Sequence, residues 1–255
     1  MTLIHVALLS FIEGLTEFLP VSSTGHLILA ARVLQLPQTD VQKSFEIAIQ
    51  LGAILAVVAL YGKTLIRNQR TMLLVGAAFI PTAVIGFLLH GVVKEFFLGN
   101  VTVVLASLFF GGIVLMVFEK FLPARTSASD INRMSYAQAL LVGVCQSFAI
   151  VPGVSRSAAT IVGGELMGIS RTAIVEFSFL LAIPTMAAAT GYDLMKSAGE
   201  FTSADWGNLF VGLILSFLFA LVAIRWFIGY IKGHSFVVFG IYRVLLAVVF
   251  WISLR

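Results

Sequence analysis

The chain alternates apolar runs with short polar interruptions, and the runs are of two kinds. Unbroken stretches lie near residues 44–61, 71–93, 101–121, 173–195, 206–228 and 236–254. A helix needs roughly 20 mostly apolar residues to cross hydrocarbon, so each of these is read as a transmembrane helix. Two further apolar regions, 1–35 and 135–170, are broken at their centres by FLPVSSTGH and VPGVSRSAAT. Neither half of either region is long enough to cross alone. Interrupted helices survive at membrane depth only where protein or a water-filled cavity surrounds the freed backbone groups. Both regions are therefore expected to be helix–loop–helix hairpins that enter the membrane and turn back.

The two hairpins also resemble each other. At one constant offset Glu13 falls on Gln146, Ser22 on Ser155, Ser23 on Arg156 and Thr24 on Ser157; one residue off that register, FEIAIQLG (45–52) falls on FSFLLAIP (177–184). The loop with Lys63, Arg67 and Arg70 holds no acid, which marks it as cytoplasmic by the positive-inside rule. Three clean spans follow the first hairpin, an odd number, so the second copy enters inverted, from the cytoplasmic side near residues 120–135. Two later loops fit this assignment. Residues 196–205, expected outside, set Lys196 against Glu200 and Asp205, and 225–235, expected inside, carry Arg225 and Lys232 with no acid. The expected fold is an all-α polytopic membrane protein with an inverted-topology repeat, each half a re-entrant helix hairpin plus three transmembrane helices. It forms a single membrane domain, 1–255, with pseudo-repeats near 1–125 and 135–255. Such paired broken helices point to a site near the bilayer midplane, where the breaks meet.

Composition agrees and excludes alternatives. Of 255 residues 60% are hydrophobic and 11% charged, whereas a soluble domain carries about 25% charged residues. The net charge of +4 and pI of about 9.4 come from scattered basic residues, so no nucleic-acid partner is expected. Cys145 stands alone, which excludes a disulfide or a cysteine-built metal centre within one chain. The first apolar stretch contains Glu13 and Glu17 and lacks a basic leader and cleavage site, so no cleaved signal peptide is expected. Gly111 and Gly112 permit close helix packing, either within the chain or in a homodimer.

The chemistry sits at the breaks. Glu13 and Glu17 lie four apart and share a helix face. Ionisable groups at the bilayer centre cost at least about 2.5 kcal/mol each, so the pair marks either a water-exposed helix end or a site that holds a cation or splits protonation states. In VSSTGH, Ser22 or Ser23 is a natural N-cap of the restarting helix. The free amides and positive end of that helix make an anion site, and a second hydroxyl is a candidate nucleophile. His26 follows one turn on, as a further candidate or as a packing residue. In VPGVSRSAAT, Arg156 is flanked by Ser155 and Ser157 and followed by Thr160. A guanidinium grips phosphate oxygens in a bidentate fork; its alternative is an ion pair with Glu13 or Glu17, which a substrate phosphate would displace. Glu46, Glu165, Glu176, Asp193 and Arg243 are left unranked.

Two acids, two hydroxyl-rich helix starts, an imidazole and an arginine around one buried site suit an anionic phosphate head group. EGLTEFLPVSSTGH and PGVSRSAAT resemble the two signature segments of the bacterial undecaprenyl-diphosphate phosphatase family, also called bacitracin-resistance proteins, and FEIAIQLGAILAVV and VEFSFLLAIP extend the resemblance to nearly the full chain. The loop at 62–70 is short for that family. The resemblance implies removal of the terminal phosphate from undecaprenyl diphosphate, recycling the lipid carrier of cell-wall synthesis. It also implies dependence on a divalent cation, Mg2+ or Ca2+, and a location in the bacterial inner membrane with the active site facing outward. By motif position it implies roles for Glu17, Ser23, His26 and Arg156 in catalysis, for Ser22, Thr24, Ser155, Ser157 and Thr160 in substrate binding, and for Glu13 and Glu17 in metal binding. Broken helices in inverted repeats are also the common design of secondary transporters, so a transporter or lipid-phosphate flippase is the alternative.

Overall fold

In a computed structural model, residues 1–37, 39–92, 100–121 and 130–254 are described. They form ten α-helices with short 3-10 turns: α1 (Leu3–Thr16), α2 (Ser23–Val33), α3 (Asp40–Arg67), α4 (Gln69–Val92), α5 (Val101–Phe121), α6 (Tyr136–Ser147), α7 (Arg156–Leu166), α8 (Arg171–Ser197), α9 (Ser203–Ile231) and α10 (Val237–Ser253). The last residue of the expected span 71–93 and half of the connection at 120–135, residues 122–129, lie outside the described residues.

Five of these helices, α3, α4, α5, α8 and α9, are long and apolar enough to cross a membrane, so this is an all-helical, multi-pass membrane protein. A sixth crossing was expected at 236–254. α10 has only 17 residues, about 26 Å at 1.5 Å per residue, and falls with α1 and α6 among the shorter apolar helices. The partition of side chains matches a lipid surround. Phe87, Phe110 and Ile252 lie on the outside, while Glu13, Glu17 and Arg243 are buried.

Local sequence sets the helix starts. Thr39 caps α3, and Ser135 with Gln138 and Thr202 with Asp205 form capping boxes at α6 and α9, each supplying acceptors to amides that have no intrahelical partner. In packing, α1 lies on α9 and α6 on α4, while α3 pairs with α8 and α5 with α10. Small residues allow close approach: a Cβ at Gly143 of α6 would meet the Ala78 carbonyl of α4 at 2.0 Å. Gly111 and Gly112 pack within the chain, against Arg243 and Gly240 of α10.

Gln138, at the start of α6, donates to the Met167 carbonyl beyond α7, and Arg70 at the start of α4 donates to the carbonyls of Asn132 and Met134. Thus the loop between α3 and α4 and both ends of the second hairpin share one neighbourhood. Near the N-terminus, Asn208 of α9 donates to the Met1 carbonyl, and Ser44 of α3 donates to Ser197 of α8. An ion cluster closes the first neighbourhood: Arg171 contacts Glu119 and Glu165 at 2.7 Å each and lies 4.3 Å from the Phe236 ring centroid.

Candidate active site

The first break follows from Pro20. α1 ends at Thr16, with Glu17 as its C-cap, and the chain turns so that Ser22 takes a left-handed conformation, φ 71°. That is uncommon for a residue with a Cβ. Ser22 Oγ then caps α2 by accepting from the Gly25 amide. With Ser22 as the cap, Ser23 is free for other work: its hydroxyl donates to Glu17 Oε2.

The second break uses Pro152 and Gly153. Gly153 has φ +92°, and a Cβ there would sit 2.6 Å from the Val104 carbonyl oxygen, so both backbone and space favour glycine. α7 restarts with Ser155 as N-cap, accepting from the Ala158 amide at 3.2 Å. Ser157 Oγ donates to the Leu19 carbonyl at 2.8 Å, and Ser155 Oγ lies 2.9 Å from Ser157 Oγ. These bonds tie the second break to the first.

Arg156 spans the junction. Its Nη2 donates to Glu17 Oε1 at 3.3 Å and its Nη1 to the Ser178 carbonyl of α8 at 2.8 Å. Thr160 Oγ1, one turn along α7, lies 2.6 Å from Ser178 Oγ, which holds the loop end of α7 against α8. Glu17 is thereby shared, one carboxylate oxygen to a hydroxyl and the other to a guanidinium. The Arg156 and Glu17 side chains are only 11% and 4% exposed. Breaking a pair this buried from one side leaves an uncompensated charge, at about 3–5 kcal/mol.

Glu13 is fully buried, and neither of its carboxylate oxygens meets a hydrogen-bond partner within the protein. Its counterpart Gln146 is tied down as a neutral amide, donating to Thr82 at 2.9 Å and Thr185 at 3.1 Å. Among the described residues no group of three or more His, Cys, Asp and Glu converges as a protein-only metal cage. An orphaned carboxylate beside a second one nevertheless fits a hard divalent cation, which is commonly held by one or two carboxylates plus substrate phosphate oxygens.

His26 sits at the edge of this constellation. Its Nδ1 donates to the Ser22 carbonyl at 2.7 Å, and its Nε2 lies 2.7 Å from Tyr242 Oη of α10, with the two rings stacked. Because a carbonyl only accepts, Nδ1 carries the proton, and in the neutral ring Nε2 accepts from the tyrosine. Both nitrogens are thus occupied by partners other than Ser23 and Glu17. Thr24, half-buried in the first turn of α2, shares no hydrogen bond with the other expected site residues.

Three residues at the site were not singled out by the sequence. Arg243, unranked there, is 1% exposed and donates to three carbonyls: Pro20 at 3.2 Å, Gly153 at 2.9 Å and Ser107 at 3.0 Å. It braces both breaks and α5 at once. A usable signal was present, since Arg243 is a cation in the middle of an apolar run with no acid. Tyr242 and Ser178 gave no comparable signal, because a tyrosine or serine within an apolar helix is unremarkable until its partner is known.

Known proteins resemble this chain over nearly its whole length. A protein of Aquifex aeolicus named undecaprenyl-diphosphatase is 50% identical over 250 residues, 98% of each chain. Proteins of the same name from a Sulfurihydrogenibium species and from Thermus thermophilus are 47% and 48% identical, covering 99% of both chains in the first case and 95% of this chain and 94% of the relative in the second. The family described as bacitracin resistance protein BacA matches residues 6–249. With nearly the whole length matched, this chain belongs to the bacitracin resistance protein BacA family.

Proposed function

We infer that the chain is a membrane phosphatase that hydrolyses undecaprenyl diphosphate to undecaprenyl phosphate and inorganic phosphate, recycling the lipid carrier of cell-wall synthesis. Relatives at up to 50% identity over nearly full length carry the name undecaprenyl-diphosphatase. The observation that carries the chemistry is the buried relay Ser23–Glu17–Arg156 where the two breaks meet.

In the mechanism we propose, the terminal phosphate enters between the first turns of α2 and α7, whose leading amides have no intrahelical acceptor. It draws Arg156 away from Glu17, exchanging one anion for another, and Glu17 is released to take the Ser23 proton. Ser23 Oγ attacks the terminal phosphorus, the anhydride P–O bond breaks, and undecaprenyl phosphate leaves with the bridging oxygen. The proton held by Glu17 passes to the bridging oxygen of the departing undecaprenyl phosphate, and water, activated by the carboxylate so restored, then cleaves the phosphoserine to inorganic phosphate, its proton returning through Glu17 to Ser23 Oγ. A divalent cation, Mg2+ or Ca2+, held by Glu13 and Glu17 would neutralise charge on the phosphate oxygens. Phosphoryl transfer asks the protein mainly for positioning and charge stabilisation, which these fixed groups provide. Ser155 and Ser157 hold the two breaks in register, and His26 with Tyr242 forms the rim of the site.

The wider architecture is proposed as an inverted-topology repeat with re-entrant hairpins. The support is reciprocal packing: α1 lies on α9 of the other half as α6 lies on α4, with α3 on α8 and α5 on α10. Contacts of Gln138 with Met167 and of Arg70 with Asn132 favour both ends of the second hairpin on the face of the basic loop, which is the cytoplasmic one in the positive-inside reading. The first hairpin would then enter from the outer face of the inner membrane, where the substrate head group would be received.

The test is phosphate release from a polyprenyl diphosphate by purified protein in detergent, with and without a chelator. A flippase or transporter moves its lipid without releasing phosphate; an enzyme releases it where no gradient exists. Loss of release in Arg156→Ala and Glu17→Ala is expected. Trapping assigns the nucleophile: if Ser23→Ala still forms a phosphorylated enzyme, the proposed attack is wrong.

A further inference from the structure

Ser22 carries φ 71° and ψ 89°, a left-handed backbone that persists in a residue with a Cβ only where the surroundings over-determine it. Here the surroundings are specific. The Ser22 carbonyl accepts twice from His26, from the backbone amide at 3.2 Å and from Nδ1 at 2.7 Å, and Ser22 Oγ accepts from the Gly25 amide. The next residue is Ser23, whose hydroxyl donates to Glu17, six residues back. A backbone that left the left-handed region at Ser22 would swing Ser23 away from that carboxylate, so whatever holds Ser22 also aims Ser23.

The Nδ1 bond has a condition. It needs the proton on Nδ1, and in a neutral imidazole the tautomer is set by what the other nitrogen meets. Nε2 of His26 lies 2.7 Å from Tyr242 Oη, with the two rings 8° from parallel and their centroids 5.5 Å apart. A phenol that donates to Nε2 leaves Nδ1 as the protonated position. Without that hydroxyl Nε2 is an acceptor with no donor, and the Ser22 bond alone has to keep the proton on Nδ1. Tyr242 is itself fixed in register on both sides. A Cβ on Gly240 would meet the Gly112 carbonyl oxygen of α5 at 2.7 Å, and Arg243 donates to the Pro20 and Gly153 carbonyls of the two breaks.

We propose that Tyr242 is a positioning residue for Ser23, acting through His26. The tyrosine hydroxyl fixes the His26 tautomer and ring plane, His26 Nδ1–H holds the Ser22 carbonyl in its left-handed turn, and that turn presents Ser23 Oγ to Glu17. In this role His26 secures the backbone and transfers no proton. The proposal rests on the reading that Ser23 attacks the terminal phosphorus.

The experiment separates the two ring nitrogens by substitution, since Asn places its amide nitrogen where Nδ1 stands and Gln reaches the Nε2 side. Phosphate release from a polyprenyl diphosphate is measured on the purified full-length protein in detergent. The variants are Tyr242→Phe, His26→Asn, His26→Gln and the pair His26→Asn with Tyr242→Phe, each with its melting temperature. Tyr242→Phe is expected to lower kcat about tenfold, with KM for the lipid within about twofold of wild type. His26→Asn should turn over roughly tenfold faster than His26→Gln. Adding Tyr242→Phe to His26→Asn should change kcat by less than about twofold, because residues in one hydrogen-bonded chain do not act additively. Nitrogen-15 spectra of histidine-labelled protein, with the His26 signals identified by their loss in His26→Asn, should show a protonated Nδ1 in wild type and mixed tautomers in Tyr242→Phe. Unchanged melting temperatures separate positioning from loss of fold, and the spectra of Tyr242→Phe decide the matter even where a His26 variant folds poorly. Any one of three results overturns the proposal: His26→Gln as active as His26→Asn, wild-type kcat in Tyr242→Phe, or the wild-type tautomer in Tyr242→Phe. Turnover in Ser23→Ala would instead sink the role given to Ser23, while the spectra would still report on the link from Tyr242 through His26 to Ser22.

Discussion

Replacing Arg243 by Met removes one residue from each break's support without touching any group assigned to phosphate chemistry. The guanidinium donates to the carbonyls of Pro20, Gly153 and Ser107, at 3.2, 2.9 and 3.0 Å, with no acid among these partners. Methionine fills much of the volume but donates nothing. Each orphaned buried carbonyl costs about 1–3 kcal/mol, while removal of a buried charge returns part of its desolvation penalty. The balance is a loss of about 3 kcal/mol, toward the lower end for one-sided disruption of a buried charged contact. Two of the three carbonyls belong to the breaks themselves, so the loss falls on the geometry that brings Glu17 to Arg156. At about 1.4 kcal/mol per tenfold in rate, kcat/KM should drop about a hundredfold. The assay is phosphate release in detergent, paired with thermal melting. Arg243→Lys, whose single ammonium cannot reach all three carbonyls, should fall between. If Arg243→Met keeps kcat/KM within threefold of wild type and melts at the same temperature, Arg243 is not the brace and the reasoning fails.

Arg156→Lys should keep contact with either Glu17 or the Ser178 carbonyl but not both, since an ammonium lacks the fork; kcat/KM should fall at least about tenfold with a raised KM for the lipid. Gly153→Ala forces a Cβ onto a φ of +92° and against Val104. It should lower stability by roughly 1–3 kcal/mol, seen as a lower melting temperature with activity lost in parallel. Arg171→Met leaves Glu119 and Glu165 facing each other unpaired. Melting in detergent should show destabilisation of about 3–5 kcal/mol, partly recovered by adding Glu165→Gln.

Much of the site was legible in the sequence because it is local. Pro20 and the Pro152–Gly153 pair interrupt helices wherever they stand, serines after such breaks cap the restarting helix, and acids four apart share a face. Arg156, Glu17 and the hydroxyl segments could be expected to meet because charged groups inside hydrocarbon need company. What the sequence left open was which acid Arg156 takes, which hydroxyl becomes free, and what His26 faces. These depend on packing between helices far apart in the chain. Arg156 chooses Glu17 over Glu13 because α7 meets the loop end of α1, and His26 turns to Tyr242 because α10 passes beside α2. Ser22, caught in a left-handed turn, takes the capping duty that leaves Ser23 for Glu17. The sequence by itself determined the helices, their breaks and the chemistry available at them, since those follow from backbone preferences and desolvation over a few residues. The tertiary structure alone decided the pairing, because a hydrogen bond is set within tenths of an ångström by contacts such as Gly14 on Ser216 and Arg243 on Gly153, whose partners lie many residues apart along the chain.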